Sequence, residues 1–156
     1  MKKTFLTANL ILFIMIYAAV AHAQISSRPA AAPWKAYPWT DSQLMEPSAL
    51  AKSIADDDRK GIVILNIGAV EDIKDARHIG PVSNPENLKK LKEAVAGLPK
   101  NAEIVIYCGC CPFSKCPNIR PAFAELKELG FTDFKVLNLP VNLKTNWIAD
   151  GFPLAK

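Results

Sequence analysis

Four cysteines lie within nine residues of this sequence: Cys108, Cys110, Cys111 and Cys116. A thiolate is both a nucleophile towards sulfur and a ligand for soft metals, so chemistry is expected in this segment. A structural disulfide framework would instead spread its cysteines along the chain to join distant segments. The clustering therefore favours a reactive or metal-binding loop over a set of structural crosslinks.

The elements on either side of the loop predict where the thiols lie. Residues 103–107 form a continuous apolar run that is typical of a buried strand, and a helical pattern begins near Asn118. Cys108 therefore follows the carboxyl end of a strand and precedes a helix N-terminus. Ligands bind at this edge of an open α/β sheet, because loop amides and the helix N-terminus attract anions. These groups favour a thiolate, so Cys108 is the first candidate for a nucleophile.

Other thiols and two cations complete the candidate site. Cys116 is the alternative nucleophile, because it lies closer to the helix start and Arg120 follows it by four residues. Cys110 and Cys111 are too close for a relaxed disulfide with each other, but either could resolve an intermediate formed on another cysteine of the loop. Lys115 and Arg120 are candidates for binding an anionic donor.

The same thiols could instead bind a metal. Thiolates suit copper(I), zinc or an iron–sulfur cluster, and the Cys-x-Cys-Cys-x4-Cys spacing supplies enough sulfur for one. However, the sequence has neither the paired Cys-x-x-Cys knuckles of a zinc ribbon nor a histidine in the loop. A non-catalytic copper or zinc carrier that uses the four cysteines is therefore the alternative to an enzyme, and the enzyme is expected to need no cofactor.

The first residues of the chain predict export. Lys2 and Lys3 precede an apolar stretch, residues 5–20, and the AHA sequence at 21–23 matches a signal-peptidase site. Residues 1–23 are therefore expected to be a cleaved signal peptide, although a retained membrane anchor is the competing interpretation. The mature protein would be periplasmic or secreted, with no stable membrane insertion after cleavage. Its formal net charge would fall from +4 to +2, which argues against a nucleic-acid partner.

The rest of the sequence predicts one α/β domain. Residues 24–40 form a proline- and alanine-rich leader or linker, in which Trp34, Tyr37 and Trp39 are expected to pack on the domain at 41–156. Strands that alternate with helices imply an open, mainly parallel sheet covered by helices on both faces. The predicted strands are 61–66, 103–107 and 134–138, and the predicted helices are 47–57, 70–74, 84–98, 121–129 and 143–150.

The order of these elements resembles the rhodanese-like superfamily from about residue 44 to residue 153. The matching segments are IVILN at 62–66, ARHIGP at 76–81, IVIYC at 104–108, LKELGF at 126–131 and WIADGFP at 147–153. The resemblance implies sulfur transfer. In this reaction Cys108 takes the outer sulfur of a donor such as thiosulfate or polysulfide and passes it, as a persulfide, to a thiol acceptor.

Two features differ from the family pattern. Family members often have Leu-Asp-Val-Arg at the second strand, whereas this chain has LNIG at 65–68. Eleven residues, rather than the common four, separate Cys108 from Arg120, so the cysteine loop is enlarged. Outside the loop, His78 is expected to be a hydrogen-bonded structural group and Trp147 to belong to the core.

Overall fold

The computed structural model describes residues 37–56 and 61–156. The predicted signal peptide and most of the predicted leader, including Trp34, lie outside the described residues. Within the described residues, no helix is both long enough and apolar enough to cross a membrane. The strands are β1 (Leu44–Met45), β2 (Val63–Asn66), β3 (Arg77–His78), β4 (Ile104–Tyr107) and β5 (Phe134–Leu137). The helices are α1 (Pro47–Ala55), α2 (Pro85–Val95) and α3 (Ile119–Glu128), with short 3-10 turns at Asp41–Gln43 and Phe113–Lys115 and a π-helical turn at Lys144–Ile148.

The five strands form one open sheet in the order β1-β5-β4-β2-β3, and every neighbouring pair is parallel. This arrangement confirms the predicted α/β class and makes the sheet wholly parallel. Strand β4 lies at the centre, and all four of its residues are buried. Since parallel strands end at the same edge, the loops that follow β2, β4 and β5 meet at the carboxyl edge of the sheet.

Alternation along β4 divides the core into two layers. Ile104 and Ile106 pack in one apolar cluster with residues of α2 and α3, whereas Val105 and Tyr107 pack in the other with residues of α1. Trp147 belongs to the second cluster and is fully buried, as expected from the sequence. The helices therefore cover both faces of the sheet, and β4 supports the residue that follows it from both sides.

The helix predicted at 70–74 is wrong. These residues form bends and a turn, with an isolated antiparallel bridge between Ile73 and Leu154. Side chains from the sheet bind the backbone groups of this segment, because Asn66 Nδ2 donates to the carbonyl of Val70 and the amide of Ile73 donates to Tyr107 Oη at 2.8 Å. A helix over the same residues would need those backbone groups for its own hydrogen bonds.

The loop after β2 approaches the backbone after β4 very closely. A Cβ atom on Gly68 would overlap the carbonyl oxygen of Cys108 and lie 2.9 Å from its Sγ atom. Gly109 has φ +74°, and a Cβ atom there would lie 2.8 Å from Leu143 Cβ. Glycine is required at both positions, because the chain segments that surround Cys108 are in contact on each side.

We expect Gly68→Ala to lower the free energy of unfolding by about 1–3 kcal/mol, because the new methyl group must displace the backbone at Cys108. Gly97→Ala is the matched control. A Cβ atom on Gly97 meets nothing within 4 Å, so its effect should stay within about 0.5 kcal/mol. Urea unfolding of both variants measures the difference. Equal stability of the two variants would contradict the close approach described for Gly68.

Candidate functional site

Cys108 is the first residue after the central strand. The carbonyl of Tyr107 still accepts a hydrogen bond from the amide of Ile67 at 2.8 Å, so the sheet holds the chain up to this point. Beyond it, Gly109 turns the chain, and its carbonyl accepts a hydrogen bond from the amide of Leu143 at 2.9 Å. The side chain of Cys108 is only 2% exposed. Its sulfur is therefore fixed at the carboxyl edge of the sheet, beneath the loop that carries the other cysteines.

Three of the four thiols form a compact cluster. The Sγ atoms of Cys108, Cys110 and Cys116 all lie within 4.8 Å of one another, and those of Cys108 and Cys110 are 3.2 Å apart. Cys108 and Cys116 are buried, whereas Cys110 is exposed. Cys111 is outside this cluster of three, although its Sγ atom lies 3.5 Å from that of Cys110. We call Cys108, Cys110 and Cys116 the thiol cluster.

Asn118 connects the thiol cluster to the rest of the fold. Its side chain is 4% exposed, and its Nδ2 atom donates to Cys108 Sγ at 3.2 Å. Its Oδ1 atom accepts a hydrogen bond from the amide of Ser83 at 2.9 Å. Because the oxygen is occupied by a backbone donor, the NH2 group faces the sulfur. The sequence had identified Asn118 only as the start of a helix, where its usual role is to cap; here no side-chain capping bond is made.

These contacts favour the thiolate form of Cys108. The hydrogen bond from the Cys116 thiol, followed by those from Asn118 and Cys110, lowers the pKa of Cys108 to about 5, although burial opposes the shift. Donation to the same sulfur raises the pKa of Cys116 well above its usual range, and burial adds to this effect. Cys110 is exposed as a residue, but partial desolvation of its sulfur, followed by donation to Cys108, raises the pKa of Cys110 to about 12. The three shifts have different directions, and they favour a thiolate on Cys108 and neutral thiols on Cys110 and Cys116.

Cys116 lies closest to the start of α3. The backbone amides of Asn118 and Ile119 favour its thiolate form and work against the rise in its pKa. The helix N-terminus thus acts directly on Cys116, whereas Cys108 receives side-chain donors and the amide of Cys110. The two nucleophiles considered from the sequence belong to one hydrogen-bonded pair, in which Cys108 carries the charge.

The two predicted anion-binding residues occupy different places. Lys115 is exposed at the end of the 3-10 turn in the loop. Arg120 was expected to precede the helix but lies in the first turn of α3, since proline is tolerated near a helix start and Pro121 does not end it there. The Arg120 guanidinium lies over the rings of Tyr37 and Trp39, at 5.5 and 5.6 Å. Anion binding by Lys115 and Arg120 stays a prediction.

An aromatic side chain from the amino-terminal segment forms one wall of the loop. Trp39 is buried, and its ring packs against Phe113 of the cysteine loop at 5.8 Å and against Phe123 of α3 at 5.7 Å. Tyr37 stacks on Trp39 at 5.3 Å while remaining more than half exposed. The expectation that these aromatic residues pack on the domain is confirmed for Tyr37 and Trp39.

Asn66 stands where the family that the sequence resembles often has an aspartate. Its side chain organises the loop that follows β2. It is fully buried, its Oδ1 atom accepts a hydrogen bond from the amide of Gly68 at 3.0 Å, and its Nδ2 atom donates to Asp72 Oδ1 at 2.8 Å. His78 Nδ1 lies 2.9 Å from the same Asp72 oxygen. His78 is thus a hydrogen-bonded group on β3, two strands from β4, which agrees with the structural role expected for it.

We expect the reduced protein to show the ultraviolet absorbance of one thiolate at neutral pH. Because the pKa of Cys108 is lowered to about 5, this absorbance should persist below neutrality and be lost as the pH falls through that value. Asn118→Ala removes one donor to the sulfur and should raise the midpoint by about one to two pH units. Cys111→Ser, outside the thiol cluster, should leave it unchanged. A midpoint near the ordinary cysteine value in the unmodified protein would contradict the assignment of the charge.

Comparison of the sequence with known protein families gives no match, and a search of curated proteins gives no significant match. The described residues form an α/β fold with a wholly parallel sheet, at whose carboxyl edge the sulfur atoms of three cysteines lie close together. This arrangement is compatible with a rhodanese-like fold and with a loop that is either reactive or metal-binding.

Proposed function

We propose that this protein is a sulfurtransferase in which Cys108 accepts sulfane sulfur from a small donor and passes it on to a thiol acceptor. The observation that carries the proposal is the environment of one atom. Cys108 Sγ lies at the carboxyl edge of a parallel sheet and accepts a hydrogen bond from Asn118 at 3.2 Å, next to two further thiols. An open α/β sheet binds its ligands at this edge.

The environment of Cys108 suits both halves of sulfur transfer. In the first half, the thiolate attacks the outer sulfur of thiosulfate, and the bond to the sulfonate sulfur breaks so that sulfite leaves with the electron pair. In the second half, an acceptor thiolate attacks the outer sulfur of the persulfide, and Cys108 leaves as a thiolate. The donors around its Sγ atom lower its basicity, which makes it a better leaving group in the second half.

Export is part of the same proposal. The basic start, the apolar stretch and the small-residue cleavage pattern of the sequence support a periplasmic or secreted protein. Its donors would be small anionic sulfur compounds such as thiosulfate or polysulfide, and its acceptor a thiol. The amino-terminal sequence of the exported product tests the first point, since a product that retains Met1 would show an anchor instead of a cleaved signal.

We expect the reduced protein to gain about 32 Da, the mass of one sulfur atom, when it is treated with thiosulfate or polysulfide. Cys108→Ser should abolish this gain, because serine neither attacks sulfane sulfur nor holds the transferred atom. Cys111→Ser is the matched control and should label like the unmodified protein. Intact-mass spectrometry measures the mass gain of the unmodified protein and of both variants. Undiminished labelling of Cys108→Ser would assign the nucleophile to another cysteine. If no form gains sulfur and none releases hydrosulfide, sulfur transfer is rejected.

A second candidate function is the binding of a soft metal ion by the thiol cluster. The specific observation in its favour is the mutual distance of the three Sγ atoms, all within 4.8 Å, because about 4 Å between thiolates suits three ligands around one copper(I) or zinc ion. Cys110 is exposed and would admit the ion from solvent. Such a protein would carry the metal without performing catalysis.

Metal content separates the second candidate from the first. If the thiol cluster is a metal site, the reduced protein dialysed after loading with copper(I) or zinc should keep about one ion per chain. Cys116→Ser should then lose most of the bound metal, whereas Cys111→Ser should retain it. Elemental analysis of the dialysed proteins gives the stoichiometry. Metal retained equally by Cys116→Ser would contradict the three-cysteine site.

A further inference from the structure

The nearest thiol to the proposed sulfur carrier belongs to Cys110. Its Sγ atom is 3.2 Å from that of Cys108, and only Gly109 separates the two residues in the chain. Cys110 is exposed, whereas Cys108 is 2% exposed. A persulfide on Cys108 would therefore form directly beside a second thiol that solvent and other molecules can reach.

We propose that Cys110 resolves the Cys108 persulfide, so that the protein releases hydrosulfide and forms a Cys108–Cys110 disulfide that a dithiol reductant then reopens. This inference rests on the proposed function, because it starts from the persulfide. It adds a second activity, the reduction of sulfane sulfur to sulfide, and it defines a partner of stated chemistry, a protein or small molecule with two vicinal thiols.

The step balances without any further reagent. The Cys110 sulfur attacks Cys108 Sγ and forms the new S–S bond, while the bond between Cys108 Sγ and the outer sulfur breaks. The outer sulfur leaves with the electron pair and takes the proton that Cys110 gives up, so it departs as hydrosulfide or hydrogen sulfide. Counted from the two free thiols over both steps, the two cysteine sulfurs are oxidised by two electrons in total, and the sulfane sulfur taken from the donor is reduced by two. The dithiol reductant returns the two electrons and becomes a disulfide itself.

Position favours Cys110 over Cys116 as the resolving thiol. Cys116 is 2% exposed and lies between the 3-10 turn of the loop and the start of α3. A disulfide from Cys108 to Cys116 would therefore join two buried sulfurs, which a reducing partner could not approach. A disulfide to Cys110 has one exposed sulfur for the attacking thiolate of the reductant.

Position also favours Cys110 over Cys111. The Sγ atom of Cys111 is 3.5 Å from that of Cys110 but does not belong to the cluster around Cys108. Cys111 follows Cys110 directly in the chain. Cys111→Ser is therefore a control that replaces one sulfur atom of the same loop by oxygen. A general effect of charge or oxidation on the loop should appear in both Cys110→Ser and Cys111→Ser. Resolution of the persulfide should be lost only in Cys110→Ser.

The test uses the reduced full chain without oxygen or free thiol, with about one equivalent of thiosulfate or polysulfide. We expect the unmodified protein to gain about 32 Da transiently, release hydrosulfide and end about 2 Da below its reduced mass. Peptide mapping should place the disulfide between Cys108 and Cys110. In Cys110→Ser the gain of about 32 Da should persist, with hydrosulfide release slowed at least about tenfold. Cys111→Ser should behave like the unmodified protein, and a dithiol reductant should restore the reduced mass.

The outcomes separate this inference from the proposed function. A stable gain of about 32 Da in the unmodified protein, without hydrosulfide release, would overturn the inference and leave sulfur transfer intact. A disulfide mapped to Cys111 or Cys116, or equal release from Cys110→Ser, would overturn it in the same way. A protein that gains no sulfur and releases no hydrosulfide would reject both. Because the mapping is made on the unmodified chain, the result does not depend on how a variant folds.

Discussion

The burial of β4 on both faces is the constraint on which the site depends. Each of its four residues is withdrawn from solvent, two towards each apolar layer, so the strand is packed against helices from both sides. Cys108 is the first residue beyond this strand and remains buried by the loops on either side. A sulfur atom held in this way does not need to be ordered by its ligand, because the fold has already fixed it.

Asn118 fixes the position of a hydrogen-bond donor to Cys108 and so connects the electrostatics of the cysteine loop to the fold. One amide group connects the segment before α2, through Ser83, to the sulfur after β4, and it does so from the residue that precedes α3. Three separate parts of the chain thus fix one donor. The other side chains that favour the Cys108 thiolate are the thiols of Cys116 and Cys110, so groups that also take part in sulfur chemistry lower the pKa of Cys108.

The sequence predicts the features that depend on local pattern. The apolar run before Cys108 and the alternation of helices with strands identified a buried strand at β4, the fold class and the first candidate nucleophile, whereas the central place of β4 in the sheet is seen only in the structure. The role of Asn118 could not be predicted, because its partners lie 10 and 35 residues away and only the folded chain brings them together. The erroneous helix at 70–74 has the same origin, since Tyr107 binds that segment across 34 residues. The spacing of the cysteines in the sequence also could not show that the thiol cluster includes Cys110 and leaves out Cys111. The two residues are adjacent, so their positions along the chain barely distinguish them.

The contact between Trp39 and Phe113 extends the packed domain to the amino-terminal side of β1. The sheet begins at Leu44, but the indole ring that supports the cysteine loop comes from five residues earlier. A protease cut or a shortened expression clone that removed Trp39 would leave the residues of every strand in place but would take a buried ring out of the core and away from the cysteine loop. The amino-terminal limit of the packed domain is therefore set by Trp39 and not by the first strand of the sheet.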